Sequence, residues 1–385
     1  MKLKLKNTPE QVELIKKTGS RNMVEAAEAM EALASFVGPI IQKVLSQSGT
    51  ASLIYKDMEY NEDDSPSYPL DLYYNENAGL VSVWAQNVAG GLPTNYMDQP
   101  VQELKLNTYR LDSSVAWLKK FARKARLDVV GGNLERMAQE VLVKQERNAW
   151  AVVLKALANG TTLNGRSAAF YSSTAETTNG LRHVIRAAGS TFTLADLNDL
   201  MVRIKRINVS FANGTPSDFQ AKGLTDLFVS PEIKAQIRAF AFNPIFPTSG
   251  TGQSQLPPNA REEIYRNAGQ ESLFNVAITE LIELGVGQKY NNLFSAFAGA
   301  NSYSRLDGST SAGTFAAATT QIIVGLDLSR DSFIRPVATG AESGGQFTVL
   351  PDNQYTDRSD KAGMYGFLEE GRICIDARAI TGLIV

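Results

Sequence analysis

A chain of 385 residues with one cysteine and one histidine lacks much of the chemistry that enzymes draw on. Cys374 alone cannot close a disulfide within the chain, which fits a reducing compartment. His183 alone cannot build a histidine-based metal cluster. A Ser-His-Asp relay would have to run through it, and no nucleophile elbow is present. No apolar run approaches the roughly 18 residues needed to cross a bilayer, so no membrane partner is expected. The basic start Met1-Lys-Leu-Lys-Leu-Lys6 has no apolar core behind it, and no secretion signal is expected from it. Excess charge is missing too: a net charge of −2 gives no overall basic field for gripping nucleic acid.

The composition itself is that of a folded protein. Apolar residues make up 43% and charged residues 20%, enough for a sizeable core in two domains or one elaborate one. Residues 8–47 read as helical, with Thr8-Pro9-Glu10 as the start and Met23, Ala26, Ala27, Met30, Leu33 and Ala34 at helical spacing. This stretch is thinly apolar and is expected to pack on something else. Asn133 to Thr161 reads as one helix of about 25 residues, roughly 37 Å long, two or three times the usual length. Asn133 is its expected N-cap and Asn159-Gly160 its close.

Between these two helical regions the charge pattern reverses sharply. From Asp57 to Glu103 there are nine acidic residues and no basic one; from Lys105 to Arg126 there are seven basic residues against Asp112 alone. The acidic stretch holds two expected strands, Leu80–Val88 and Val101–Leu106, joined through Gly90-Gly91-Leu-Pro93. An acidic hairpin of this kind has little core of its own and must lean on another surface.

Past Gly165 the pattern is α+β. Thr193 and Asp196 make a capping-box start for a helix whose buried face carries Leu194, Leu197, Leu200, Met201, Ile204 and Ile207. Thr225–Val229 reads as a buried strand, followed by Ser230 as N-cap and Pro231 at the first position of a short helix with Ile233 and Ile237. Residues 242–259 form a long Pro/Gly loop. Further strands are expected around 321–328, 347–350 and 372–385.

None of the chemical motifs is convincing. Gly160–Ser167 nearly spells a phosphate-binding loop, but Arg166 replaces the lysine and the segment follows a helix rather than a strand. Glu62-Asp63-Asp64 lacks the glycine and closing glutamate of a calcium loop. His183, beside Arg182 and Arg186, reads as a surface residue, and Cys374 as a small buried hydrophobe on an alternating strand. No catalytic, cofactor-binding or metal residue is assigned, and no cofactor is expected.

The order of parts carries more information. A basic helical arm, an extended acidic hairpin, a basic strand and a long helix ending in "ALANGT" come first. They are followed by "TLADLNDLMVRI", "LFVSPEIKAQI" and a closing "RICIDARAITGLIV". This order resembles the major capsid proteins of tailed bacteriophages with the Hong Kong 97 fold, over nearly the whole chain. The resemblance implies an α+β chain with an N-terminal arm at 1–58, an extended hairpin loop at 59–112 and a peripheral domain at 113–224 with its spine helix at 133–158. An axial domain at 225–335 would follow, then return strands through the peripheral domain and a final axial strand at 336–385. The loop 242–259 would lie in the axial domain near the centre of a capsomer.

The function implied is structural rather than enzymatic: self-assembly into hexamers and pentamers of an icosahedral shell around a double-stranded DNA phage genome. The implied location is the virion, after assembly in the host cytoplasm. Implied partners are further copies of the chain, a separate scaffolding protein, a portal and decoration proteins, with DNA enclosed but not read by sequence. An encapsulin-like nanocompartment shell is the alternative, and a cytosolic α+β hydrolase using carboxylates is the alternative from another class. The charge reversal suggests an intersubunit interface in which Glu62, Asp63, Asp64, Tyr73 and Trp84 of one copy meet Lys119, Lys120, Arg123, Lys124 and Arg126 of the next.

Overall fold

The computed structural model describes residues 8–47, 49–61, 65–70, 102–124, 127–159, 183–187, 189–207, 223–239, 272–303, 313–339, 347–352, 360–375 and 379–385. In chain order the first elements are α1 (Pro9–Thr18), α2 (Met23–Gln47), α3 (Ala51–Ile54), β1 (Lys56–Asn61), β2 (Ser67–Leu70), β3 (Gln102–Lys105) and β4 (Thr108–Leu118). Next come α4 (Lys119–Arg123), α5 (Leu127–Ala158), β5 (Val184–Arg186), α6 (Leu194–Ile207), β6 (Asp226–Val229) and α7 (Pro231–Ala239). After these are β7 (Ser272–Leu273), β8 (Val276–Glu280), α8 (Lys289–Ala298), β9 (Ser302–Tyr303) and β10 (Gly313–Thr314). The chain closes with β11 (Ile322–Leu326), β12 (Phe333–Thr339), β13 (Thr348–Asp352), β14 (Lys361–Gly371), β15 (Ile373–Cys374) and β16 (Ile380–Ile384). Helices and strands are thus interspersed in an α+β chain.

Two compact units share these elements. The first comprises 1–68, 105–150 and 333–373. Its sheet is organised on β14, which pairs antiparallel with β4 over its whole length, from Lys361↔Leu118 to Gly371↔Thr108. On its other side β14 meets β13 and, at Val337↔Glu370, β12. Strand β1 then adds in parallel to β12. The arm helices cover this framework as their spacing suggested. Ala26, Ala29, Met30, Leu33, Ala34 and Val37 of α2 are buried, and four of them join Ile15 of α1 in one core with Trp117, Leu134, Met137, Val141, Met364 and Leu368. Between α1 and α2 the chain turns at Gly19, where a Cβ would stand 2.9 Å from the Arg123 backbone nitrogen.

Helix α5 is longer than its sequence suggested. It has 32 residues and begins at Leu127, so Asn133 lies inside it and is not its N-cap. Gly131 and Gly132 read as breakers at about 1 kcal/mol each. Val130, however, is wholly buried in the same core as Leu134, Met137 and Val141. That i, i+4, i+7 stripe outweighs the glycine cost. At its other end the Asn159 N–H still donates to Lys155 O.

The second unit comprises 69–104, 151–332 and 374–385. Its six-stranded sheet runs β5-β16-β11-β6-β8-β7, with β5 parallel to β16 and β6 parallel to β8. The capping box is present in both directions. The Thr193 N–H donates to Asp196 Oδ2 (2.8 Å), and the Asp196 N–H donates to Thr193 Oγ1 (3.3 Å). Ser230 Oγ accepts from the Ile233 N–H (3.2 Å), as an N-cap should. Leu200, Ile204, Leu227, Val229, Ile233 and Ile323 form the centre of the core. The reading of His183 as a surface residue is corrected here: it is 3% exposed, with Nδ1 2.8 Å from Ile380 O. Its own carbonyl accepts from the Gly382 N–H and the Thr381 hydroxyl, so the sheet draws it inward. Cys374 is buried as expected, although its strand is only two residues long.

Candidate assembly interface

β1 and β4 flank residues 62–107, and polar groups on β14 tie both flanking strands into the first unit. Glu370, with no exposed surface, is the centre. Its Oε2 accepts from Arg335 Nε (2.7 Å), Gln145 Nε2 (3.0 Å) and Arg372 Nη2 (3.3 Å). Its Oε1 accepts from the Tyr109 hydroxyl (3.0 Å) and Arg372 Nε (3.3 Å). Arg335 reaches on to Asp57 of β1 at 3.2 Å. Two carboxylates and two guanidiniums therefore balance, the condition under which burying charge is tolerable.

The neighbouring Glu369 repeats the arrangement at the surface side, accepting from Thr108 Oγ1 (2.7 Å) and the Tyr60 hydroxyl (3.0 Å). Tyr60 is on the outgoing strand and Thr108 on the incoming one. The adjacent Leu106 N–H donates to Pro66 O at 3.0 Å, closing the neck of the excursion.

A second anchor lies one helical position away. Glu146 of α5 accepts from the Thr50 N–H (3.0 Å), the Ala51 N–H (3.0 Å), the Thr50 hydroxyl and Trp150 Nε1 (3.2 Å). It holds the joint where the arm ends and β1 begins. The Tyr55 hydroxyl donates to Ala149 O (2.9 Å), and the Arg372 guanidinium stands 4.9 Å over the Tyr55 ring. Burial works against the charge of Arg372, but Glu370, with Tyr55 and Tyr109, more than offsets it and raises its pKa.

Burial, and then the charge of Glu370, push the Tyr109 hydroxyl from its ordinary value of 10 to about 12. The unfolded chain ionises this tyrosine near 10 and the folded protein only near 12. Stability that is fully present below 10 is therefore lost as pH rises through that window. The expected loss is roughly 2 kcal/mol after allowance for partial exposure. Urea midpoints at about pH 9 and about pH 11 should fall further apart in the wild type than in Tyr109→Phe. Equal falls would remove Tyr109 from the alkaline transition.

The solvent side of β4 and β14 carries a further cluster. Arg110 donates through Nε to Asp112 Oδ1 (2.7 Å) and through Nη2 to the Tyr365 hydroxyl (2.7 Å). Tyr365 in turn donates to Asp112 at 2.6 Å. The Arg110 guanidinium stacks 4.0 Å above the Phe367 ring. The Tyr365 hydroxyl, and then Arg110, hold Asp112 below the usual carboxylate range.

Of the residues assigned to an interface from sequence, Lys119, Lys120 and Arg123 lie on α4, and Lys124 directly follows it. Lys120 and Lys124 are exposed and Lys119 is half-buried. Arg123 is committed within the unit: its Nε donates to Gly19 O (2.7 Å) and its Nη2 pairs with Asp360 (3.3 Å). Glu62, Asp63, Asp64, Tyr73, Trp84 and Arg126 lie outside the described residues, as do the loop 242–259, the near-phosphate loop and the expected strand Leu80–Val88. Sequence reasoning missed the Glu370 cluster. Its signal was Arg335 set among Phe333, Ile334 and Val337, a cation that an apolar strand can bury only against an acid. Among the described residues no three potential metal ligands come together, and no helix is long and apolar enough to cross a membrane.

No family model and no curated protein matches the chain. Among solved structures it is similar to the SrpI encapsulin of Synechococcus elongatus PCC 7942, at 11% identity over 88% of each chain with a TM-score of 0.43. It is similar to the capsid of cyanophage P-SCSP1u at 12% identity over 86% of each chain, TM-score 0.46. The capsid of an empty GTA particle matches at 12% identity, over 87% of this chain and 90% of that one, TM-score 0.47.

Proposed function

We propose that this chain is a structural shell subunit, assembling through hexamers and pentamers into an icosahedral capsid around a double-stranded DNA phage genome. The observation that carries this reading is the firm polar tie at both flanks of residues 62–104. Glu369 and Glu370 fix both ends of residues 62–104. That stretch carries seven acidic residues and no basic one. A buried charge cluster is a large investment in positioning a segment with little core of its own. It is reasonable where the segment must reach a neighbouring copy in a fixed direction. In this reading the arm is 1–58, the extended loop 59–112, the peripheral domain 113–224, the axial domain 225–335 and the return strands 336–385. A separate scaffolding protein, a portal and decoration proteins are the further partners, and the virion is the destination. With a net charge of −2, the shell holds its DNA without sequence-specific contacts.

Electron microscopy and sedimentation of the purified chain test the proposal. Rings or closed particles, with nuclease-protected DNA when isolated from infected cells, are the expected result. Particles loaded with one protein cargo and no DNA would move the assignment to a nanocompartment. A monomer that stays monomeric at high concentration, with or without phage partners, would end it.

A further inference from the structure

The turn between α1 and α2 sets two patches of opposite charge side by side. Gly19 in that turn lies against α4: Arg123 Nε donates to Gly19 O (2.7 Å), and a Cβ on Gly19 would stand 3.0 Å from Lys119 O. The contact brings Lys16 and Arg21 of the arm to Lys120 and Lys124, which come much later in the chain. All four are exposed. Two carboxylates of this region are already engaged, Glu13 with Lys17 (3.2 Å) and Asp360 with Arg123 (3.3 Å). Among the described residues Lys16, Arg21, Lys120 and Lys124 have no ion pair.

The acidic patch begins where the turn ends. The Ser20 hydroxyl donates to Glu25 (3.2 Å), and Glu28 and Glu31 follow it on the solvent face of α2, all exposed. No Lys or Arg occurs from Asn22 to Gln42, so the opposite charges that usually lace a solvated helix face are missing. Carboxylates three residues apart on a helix are neighbours and repel. The same face exposes Val24 (65%) and Phe36 (42%), while Ala26, Ala29, Met30 and Leu33 turn to the core. Like charges and bare apolar groups on one helix face do nothing for a lone subunit.

Resting on the shell reading above, we infer that the outer face of α2 is a docking surface for a second copy, whose Lys16, Arg21, Lys120 and Lys124 meet Glu25, Glu28 and Glu31. A second copy fits better than another protein, because each subunit carries both halves of the contact next to one another. Two copies facing about a two-fold axis then satisfy both patches at once. The charges set approach rate and register, and Val24 and Phe36 supply apolar area to bury.

Charge variants of the full chain test the contact. Glu28→Gln with Glu31→Gln should keep or raise the wild-type melting temperature, because it relieves repulsion. It should nevertheless slow assembly by about tenfold at about 20 mM salt. Lys16→Glu with Arg21→Glu should slow assembly similarly, and adding Glu28→Lys and Glu31→Lys to the same chain should restore most of the rate. Mixing copies that each carry one of the two reversals should restore it too, which a contact within one subunit would not do. Carbodiimide coupling of mixed light and heavy-isotope copies should join Lys16, Lys120 or Lys124 of one copy to Glu28 or Glu31 of the other. Wild-type assembly by the folded Glu28→Gln, Glu31→Gln chain, or no rescue by the combined reversal, would overturn the inference while leaving the shell reading intact. Cross-links confined to one isotope, or running from these lysines only to carboxylates off α2, would overturn the assigned occupant. A wild-type chain that never assembles would instead fail the shell reading, and the inference with it.

Discussion

Replacing Glu370 with alanine is expected to destabilise the first unit by about 3–5 kcal/mol, since it strands buried charge. Arg335 and Arg372 would lose their common acceptor, and Arg335 would be left with Asp57 at 3.2 Å. Gln145 and Tyr109 would each lose a bond. Glu370→Gln should fall between the alanine variant and the wild type. It preserves one acceptor but turns an amide N–H toward a guanidinium and removes the neutralising charge. Urea unfolding with matched slopes measures both. A loss under about 1 kcal/mol for the alanine variant would mean that water replaces the carboxylate and that the cluster does not fix the neck.

Reversing Lys120 and Lys124 together to glutamate is expected to slow assembly by about tenfold or more at low ionic strength, with little change in subunit stability. Both side chains are exposed, and exposed pairs contribute only about 0–1 kcal/mol each to a fold. The gain lost is therefore in steering. Arg123 is left out of the reversal, because its bonds to Gly19 and Asp360 belong to the subunit's own structure. Light scattering at about 20 mM and about 300 mM salt should show the defect shrinking as screening rises. Wild-type kinetics at the lower salt would remove these lysines from the interface.

The features legible in the sequence were those whose causes are local. The Thr193–Asp196 box and the Ser230-Pro231 start each place cap and helix within a few residues, and both are found in the structure. The long helix was legible from its stripes, but its first turns were not, because Val130 is explained only by the core it enters. Strand β14 was overlooked for a similar reason. Gly363, Gly366 and Gly371 weaken its pattern, and what crowds the last two lies elsewhere in the chain. At Gly366 a Cβ would stand 2.6 Å from the Phe347 ring, and at Gly371 the same distance from Asn107 O. Glu369-Glu370 carried no assignment in the sequence. Only the fold brings Arg335, Tyr109 and Gln145 to it. The charge reversal at 57–126 was plain in the sequence, but which lysines remain exposed was not.

The pairing of β4 with β14 also sets a timetable. Thr108 is made long before its partner Gly371. At about 5–20 residues per second, the interval between α5 and β14 amounts to roughly 10–40 s. For that time the core stripe of α2 faces a sheet that lacks its central strand, and contacts of such long sequence separation form slowly even afterwards. A nascent chain is then at its most prone to aggregate. Until β14 arrives, β4 has no fixed register. Synthesis of β14 thus acts as a checkpoint: a chain that stops short of Lys361 has no ladder to hold β4 in register.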